Sequence, residues 1–225
     1  MEEQIPGPDG RVVALAERER LGRWRMVAAN RTGRFRKTWG EARLHLYEEG
    51  LIVTDPESGG EWVYRWESTS VLQNLSTLNG AVRDAAYTLI GPGGAALTVG
   101  RGTHGLFEGK LKAAGVTSHT RGPWILFERS WGPETQNGVL RTQGSIALER
   151  VARGETLAFG RISVDRNGVS FKGKTAAWAE IGEVSVSNAL VWFRDARSRS
   201  LLKGVGVPEV PNLYLLLALA DRLRG

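Results

Sequence analysis

The sequence contains no cysteine and has no long apolar run. Without cysteine among its 225 residues, the chain forms neither disulfides nor cysteine-ligated zinc sites, so a hydrophobic core must hold the fold. The longest uninterrupted apolar run, Leu213 to Ala220, has eight residues, whereas a membrane-spanning helix needs about 20. These absences exclude a disulfide scaffold and a helical membrane span.

Residues that commonly carry out chemistry are sparse and scattered. His45, His104 and His119 are too far apart to form a local metal motif. No Gly-x-Ser-x-Gly segment is present. The glycine-rich stretches at 91–94 and 100–103 lack the Lys-Ser/Thr ending of a phosphate-binding loop, and we interpret them as hairpin turns. We therefore expect no enzyme, no cofactor and no metal site.

Positive charge is concentrated near the N-terminus. The chain carries a net charge of +6, and the window 18–37 alone has eight basic residues against one acidic residue. Such a window is either the solvated face of a packing helix or a surface for phosphate, acidic lipid headgroups or an acidic protein. The candidate anionic-ligand patch consists of Arg23, Arg25, Arg31, Arg34, Arg36 and Lys37.

Aromatic residues near this patch make nucleic acid a second, less favoured candidate partner. Trp24, Phe35 and Trp39 lie within or beside the basic window, and exposed aromatic side chains would stack on bases. The first residues, Met-Glu-Glu-Gln-Ile-Pro, contain no apolar run, so we expect no secretory signal. The expected location is cytoplasmic, with peripheral membrane attachment as the alternative.

Periodicity predicts a β-rich fold preceded by one helix. Apolar residues recur at roughly helical spacing over 11–29, which predicts an amphipathic helix. Short alternating runs then predict strands, separated by turns that many of the 29 glycines would form. After the first hairpin, one predicted strand carries Trp62, Tyr64 and Trp66 on one face. The other predicted strands lie at 70–75, 86–90, 95–99, 124–127, 183–186, 190–194 and 201–205. The predicted helices lie at 106–114, at 140–152 and after Asn212.

An internal repeat divides the chain. Residues 161–171 align with residues 43–53 at a constant offset of 118, and their apolar positions and turn glycine coincide. Trp66 and Trp178 follow the two hairpins and are each expected to begin a strand as core anchors. The repeat is too long for a solenoid unit and predicts two copies of one small domain.

The repeated elements resemble bacterial pleckstrin-homology-like domains. In the first copy the resemblance rests on Leu46-Tyr47-Glu48-Glu49-Gly50-Leu51 and Trp66. In the second copy it rests on Phe159-Gly160, Gly168-Val169, the segment from Trp178 to Val184 and Val210-Pro211-Asn212-Leu213. The whole chain is similar to an uncharacterised family of tandem proteins common in actinobacteria. The resemblance implies two antiparallel barrels or sheets, each closed by an amphipathic helix, and implies no activity.

These observations predict three regions and an interaction function. The regions are a basic N-terminal helix and lead-in at 1–40, a first domain at 41–155 with an insertion at about 100–140, and a second domain at 156–225. We expect a non-enzymatic scaffold that binds a protein partner or self-associates. The alternative is peripheral binding to anionic membrane lipids, or to nucleic acid, through the N-terminal arginine cluster.

Overall fold

The computed structural model describes residues 7–30, 39–78, 81–101 and 108–225, which form a mixed α+β structure with mostly antiparallel sheets. The first half begins with helix α1 (Gly10–Arg18). Its strands are β1 (Trp24–Ala29), β2 (Arg43–Tyr47), β3 (Gly50–Asp55), β4 (Gly60–Arg65), β5 (Ser70–Leu78), β6 (Ala81–Ile90), β7 (Ala95–Arg101) and, after helix α2 (Glu108–Ala113), β8 (Ser118–Arg121).

A long helix, α3 (Glu128–Ala152), connects the two halves. The strands that follow are β9 (Leu157–Phe159), β10 (Ile162–Val164), β11 (Gly168–Phe171), β12 (Lys174–Ala177), β13 (Glu183–Ser187), β14 (Leu190–Arg194) and β15 (Val205–Gly206). Short 3₁₀ helices span Trp178–Glu180 and Val207–Glu209, and helix α4 (Leu213–Leu223) ends the chain. The predicted α+β class with antiparallel sheets is confirmed, but none of the sheets closes into a barrel within the residues described.

The predicted helix at 11–29 is wrong over its second half. Asp9 caps α1 by accepting a hydrogen bond from the Val12 amide at 2.8 Å. After Arg18 the backbone takes positive φ at Arg20 (55°) and Gly22 (72°), which stops the helix. The chain then returns as β1, which pairs antiparallel with β2. The apolar spacing at 24–28 therefore belongs to a strand.

The first sheet has the order β1-β2-β3-β4 and is covered on both faces. Leu44 and Leu51 lie on one face, in the main core of the first half. Tyr47 and Ile52 lie on the other face and pack against α1 with Leu15 and its neighbours. Because the main core packs on one face and α1 packs on the other, β3 is buried along its whole length.

The predicted equivalence of the two hairpins is confirmed by their pairing registers. Leu44 pairs with Val53 and Ile162 pairs with Phe171, so both partners shift by 118 residues. Gly50 and Gly168 also share an environment, since a Cβ atom on either would collide with a carbonyl oxygen of the next strand. The offset found in the sequence therefore reflects a shared backbone geometry.

Several predicted elements after the hairpins need correction. Residues 124–127 form no strand, because Ile125 makes a single bridge to Asn30 and Phe127 has a φ of 61°. The strand predicted at 201–205 is reduced to β15. Trp66 follows β4 in a turn, and Trp178 begins a 3₁₀ helix, so neither begins a strand. The sheets after these tryptophans have the orders β5-β6-β7-β8, with β8 parallel to β7, and β13-β14-β15.

Helix α3 begins 12 residues earlier than predicted and serves both halves. Trp131 and Val139 are buried in the first core, whereas Ala147 and Val151 are buried in the second. Part of the stretch 100–140, expected to be an insertion, is therefore the first half of this helix. Gly138 makes the first half of α3 hard to predict from the sequence, because glycine has low helix propensity. In the structure, this glycine allows α3 to pack closely against Trp66.

Candidate binding surfaces

The structure describes two of the six residues in the predicted anionic-ligand patch, and both lie near carboxylates. Arg23 pairs with Glu48, with 2.8 Å between Nη2 and Oε1. This pairing raises the pKa of Arg23 and lowers the pKa of Glu48. Arg25 lies 3.7 Å from Glu134. The other members, Arg31, Arg34, Arg36 and Lys37, lie outside the described residues.

The aromatic side chains near this patch differ in exposure. Trp24 is 43% exposed, in keeping with a surface position. Trp39 packs on Trp62, with ring centroids 5.0 Å apart. Phe35 lies outside the described residues. Among the described aromatic residues of the predicted nucleic-acid surface, Trp24 is thus the one that offers a large exposed ring.

The predicted core tryptophans are confirmed. Trp66 and Trp178 are 1% and 5% exposed. The Trp178 indole Nε1 donates to the Asp165 carbonyl at 2.9 Å. Trp66 packs against Gly138, where a Cβ atom would approach its Nε1 to 2.5 Å. Trp131, which the sequence allows either to pack between the repeats or to lie in a partner-binding insertion, is fully buried and donates to the Leu126 carbonyl at 2.8 Å.

The outer edge of β5 is covered by a segment from the second half. The Asn212 amide donates to the Val71 carbonyl at 2.8 Å, and the Val71 amide donates to Asn212 Oδ1 at 2.8 Å. Gln143 on α3 donates to the carbonyl oxygens of Trp66 (2.5 Å) and Thr69 (2.9 Å) nearby. The Val-Pro-Asn-Leu segment of the second half is thus hydrogen-bonded to the outer edge of β5 through Asn212.

The outer edge of β13 has no strand beside it among the described residues. The Phe193 carbonyl of β14 accepts from the Leu201 amide, on the side away from β13. Phe193 pairs with Val184 in the register, and backbone groups alternate along an antiparallel ladder. The amide and carbonyl groups of Val184 and Val186 therefore point outward, and the Val186 side chain is 44% exposed.

Several clefts open on the described part of the chain. One, of about 530 Å³, lies where the halves meet and is bounded by β5, β6, the start of α3 and the turn at Asn188 and Ala189. Leu75, which is 43% exposed, lines it. Another, of about 440 Å³, lies beside the N-terminal end of α1, and most of the residues that line it are charged or polar.

The histidines described do not form a metal site. His45 is buried on β2, where burial lowers its pKa to about 4. His119 on β8 shares a hydrogen bond of 2.8 Å with Thr98, and burial also lowers its pKa. His104 lies outside the described residues. Within the described part of the chain, no three His, Cys, Asp or Glu residues are grouped so that they could hold a metal ion.

Comparison with known proteins finds one family model that matches part of the chain. Residues 132–224 match the model of a family of unknown function, DUF6585. The match begins inside α3 and ends at α4. No curated protein matches the chain. In the ranges that the structure describes, no helix combines the length and apolar character that crossing a membrane requires.

Proposed function

We propose that this protein is a non-enzymatic interaction protein made of two pleckstrin-homology-like units, and that it binds a partner protein or a second copy of itself. The proposed contact is strand addition along the outer edge of β13. In this mode, backbone hydrogen bonds supply affinity and alternate side chains supply specificity.

The order of elements supports the two-unit interpretation. In each half a four-stranded antiparallel sheet is followed by a buried tryptophan, then by three successive antiparallel strands and a helix. The Trp66 amide donates to the Glu49 carbonyl, and the Trp178 amide donates to the Asn167 carbonyl. Each acceptor directly precedes the turn glycine of its hairpin, so the halves share hydrogen bonds as well as element order.

The open edge of β13 is the observation that carries the proposed contact. Its counterpart in the first half, β5, already receives a chain segment through Val71 and Asn212. In that contact a single residue, Asn212, occupies the edge of β5, whereas the edge of β13 has no strand beside it among the described residues. An unpaired edge with outward amides is a template for another strand, and the exposed Val186 side chain would add apolar contact.

A proline substitution tests this contact. Val186→Pro removes an outward amide without removing a β13–β14 hydrogen bond, and an edge strand accepts proline at such a position. Val186→Thr is the matched control, because it keeps the amide and the branched shape. Sedimentation velocity measures self-association. Affinity capture from the native host identifies a partner, whose affinity is then measured with purified proteins.

We expect Val186→Pro to weaken self-association or partner binding at least about tenfold. The variant lacks the amide that would donate a hydrogen bond to the added strand, and its ring disturbs the alignment of the two strands. Val186→Thr should change it by less than about threefold. Equal affinities for the two variants would contradict strand addition at β13.

Binding to an anionic membrane or to nucleic acid through the arginine cluster is the alternative proposal. The exposed Trp24 between Arg23 and Arg25 favours it, because an aromatic ring with flanking cations suits both a lipid interface and a base. The ion pairs of Arg23 with Glu48 and of Arg25 with Glu134 argue against this alternative, because the carboxylates offset the positive charge that would attract an anion. It predicts salt-sensitive pelleting with acidic liposomes that is lost when the six patch residues become Ser or Gln.

A further inference from the structure

The cleft where the two halves meet has the size of a small-molecule site. Its volume of about 530 Å³ lies within the roughly 300–1,000 Å³ that is usual for ligand pockets. It is bounded by β5 and β6, by the start of α3 and by the turn between β13 and β14. Its apolar lining residues are Leu75, Ala85, Tyr87, Pro133 and Ala189. The cleft therefore suits a ligand with an apolar part.

The strand register places the apolar residues of β5 and β6 on one face of their sheet. Leu75 pairs with Ala85, and Tyr87 lies two residues further along β6, so the three side chains point to the same face. Leu75 is 43% exposed, whereas Ala85 and Tyr87 are buried. Leu75 thus offers accessible apolar surface, and the other two form the floor beside it.

The start of α3 crosses this same face. Gly132 packs directly on Tyr87, since a Cβ atom at Gly132 would collide with the phenol ring. Arg129 and Pro133 are four residues apart and share one side of the helix, so Arg129 lies within about one turn, ~5 Å along the axis, of the contact with Tyr87. Leu75 is about 7 Å from that contact along the strands. One elongated small molecule can therefore contact both Leu75 and Arg129.

The charges that border the cleft leave one cation unpaired among the residues that the structure describes. Arg129 is exposed and forms no ion pair there. Glu128 is paired with Arg101, with 3.5 Å between Oε1 and Nε. Asp84 directly precedes Ala85 on β6, so its side chain points to the opposite face of the sheet. The accessible charge beside the apolar floor is therefore positive and favours an anion.

We propose that this cleft binds a small amphipathic anion, an organic carboxylate with an apolar chain. The chain lies against Leu75, Pro133 and Ala189, where burial removes its apolar surface from water. The carboxylate accepts charge-assisted hydrogen bonds from the Arg129 guanidinium, whose parallel N–H groups match its two oxygens. The same arrangement repels an organic cation of equal length.

Calorimetric titration of the full chain with decanoate tests this site. Butyrate keeps the carboxylate and shortens the chain, whereas decyltrimethylammonium keeps the chain and reverses the charge. Decanoate should bind at least about tenfold more tightly than either, because both the buried methylenes and the ion pair contribute. The acetylated peptide amide Leu-Leu-Glu represents a protein segment as the ligand. Tighter binding of this peptide or of decyltrimethylammonium than of decanoate would overturn the proposal.

Two pairs of variants locate the binding. Arg129→Gln should weaken decanoate binding at least about fivefold, whereas Arg197→Gln, an exposed arginine after β14, should change it less than about twofold. Leu75→Thr removes apolar surface and retains a residue suited to a strand, so it should also weaken binding at least about threefold. Its control is Val13→Thr on α1, where the valine is 39% exposed. Equal effects within either pair would contradict the assigned site.

A measurement on the unmodified chain removes the dependence on folding of the variants. Decanoate should shift the methyl resonances of Leu75 and Ala189 and leave those of Val13 unchanged. The absence of a shift at Leu75 with saturating decanoate would overturn the proposal. Strand addition at β13 is tested with the Val186 variants, so failure of either proposal leaves the other unaffected.

Discussion

Replacing Asn212 tests how much its hydrogen bonds to β5 contribute to the stability of the folded chain. Asn212 is 7% exposed and exchanges two hydrogen bonds with Val71. Asn212→Ala leaves the buried Val71 amide without its acceptor, which costs about 1–3 kcal/mol. Asn212 also has a φ of 52°, where alanine is less favourable than asparagine by up to roughly 1 kcal/mol. We expect a total loss of about 1–4 kcal/mol in the free energy of unfolding.

Two further variants separate the hydrogen bond from the backbone conformation. Asn212→Gly loses the same acceptor but accepts positive φ without strain, so it should be less destabilising than Asn212→Ala. Asn188 also has a φ of 52° and lies in an exposed turn between β13 and β14. Asn188→Ala therefore measures the cost of backbone conformation alone, which should not exceed about 1 kcal/mol.

Equilibrium unfolding in urea, followed by tryptophan fluorescence and circular dichroism, measures these differences. Because Trp66 lies beside the contact and Trp178 lies in the second core, fluorescence reports on both halves. A loss for Asn212→Ala no larger than that for Asn188→Ala would refute the proposed role of Asn212.

Two further predictions concern buried groups. His45 has a folded pKa of about 4 against 6.5 in the unfolded chain, so the unfolded state binds more protons and stability falls as pH drops from 6.5 towards 4. His45→Gln should abolish that decline, worth up to ~3 kcal/mol, in urea titrations across this range. An unchanged pH dependence would contradict the burial argument. Gly138→Ala should destabilise the chain by about 1–3 kcal/mol, because its Cβ would approach Trp66 Nε1 to 2.5 Å. Gly144→Ala, whose nearest neighbour lies at 3.5 Å, should stabilise it by up to ~1 kcal/mol in thermal unfolding.

The elements that could be predicted from sequence are those with local, alternating patterns. The hairpin that contains Gly50 and the one that contains Gly168 were correctly predicted, because two-residue alternation and a turn glycine determine such units locally. The final helix after Asn212 was predicted for a similar reason, since its apolar residues recur at helical spacing. These elements depend little on distant parts of the chain.

The elements that were missed depend on tertiary contacts. The first part of α3 contains Gly132, Pro133 and Gly138, which lower helix propensity. Burial of this part against Tyr87 and Trp66 outweighs that cost, and the contact partners are distant in sequence. The helix predicted beyond Arg18 does not form, although its apolar residues recur at helical spacing. Positive φ at Gly22 redirects the chain into β1 instead.

The candidate sites were equally difficult to predict, because each joins residues from separate elements. The cleft beside α1 is lined by Asp9, which caps α1, and by residues of two strands, His45 on β2 and Asp55 on β3. No spacing in the sequence connects Asp9 with the other two residues. The basic window 18–37 was visible in the sequence, but the partners of Arg23 and Arg25, Glu48 and Glu134, were not.

The position of α3 links the two halves in a way that bears on the proposed strand addition at β13. Its N-terminal part contributes to the first core and its C-terminal part contributes to the second, so neither half has a complete core without it. The second half also covers the β5 edge through Asn212. A truncation at the predicted boundary after residue 155 would therefore expose that edge and create a new site for strand addition. Partner binding through β13 must be measured on the full chain, because residues 1–155 lack β13 and residues 156–225 lack the part of α3 that completes their core.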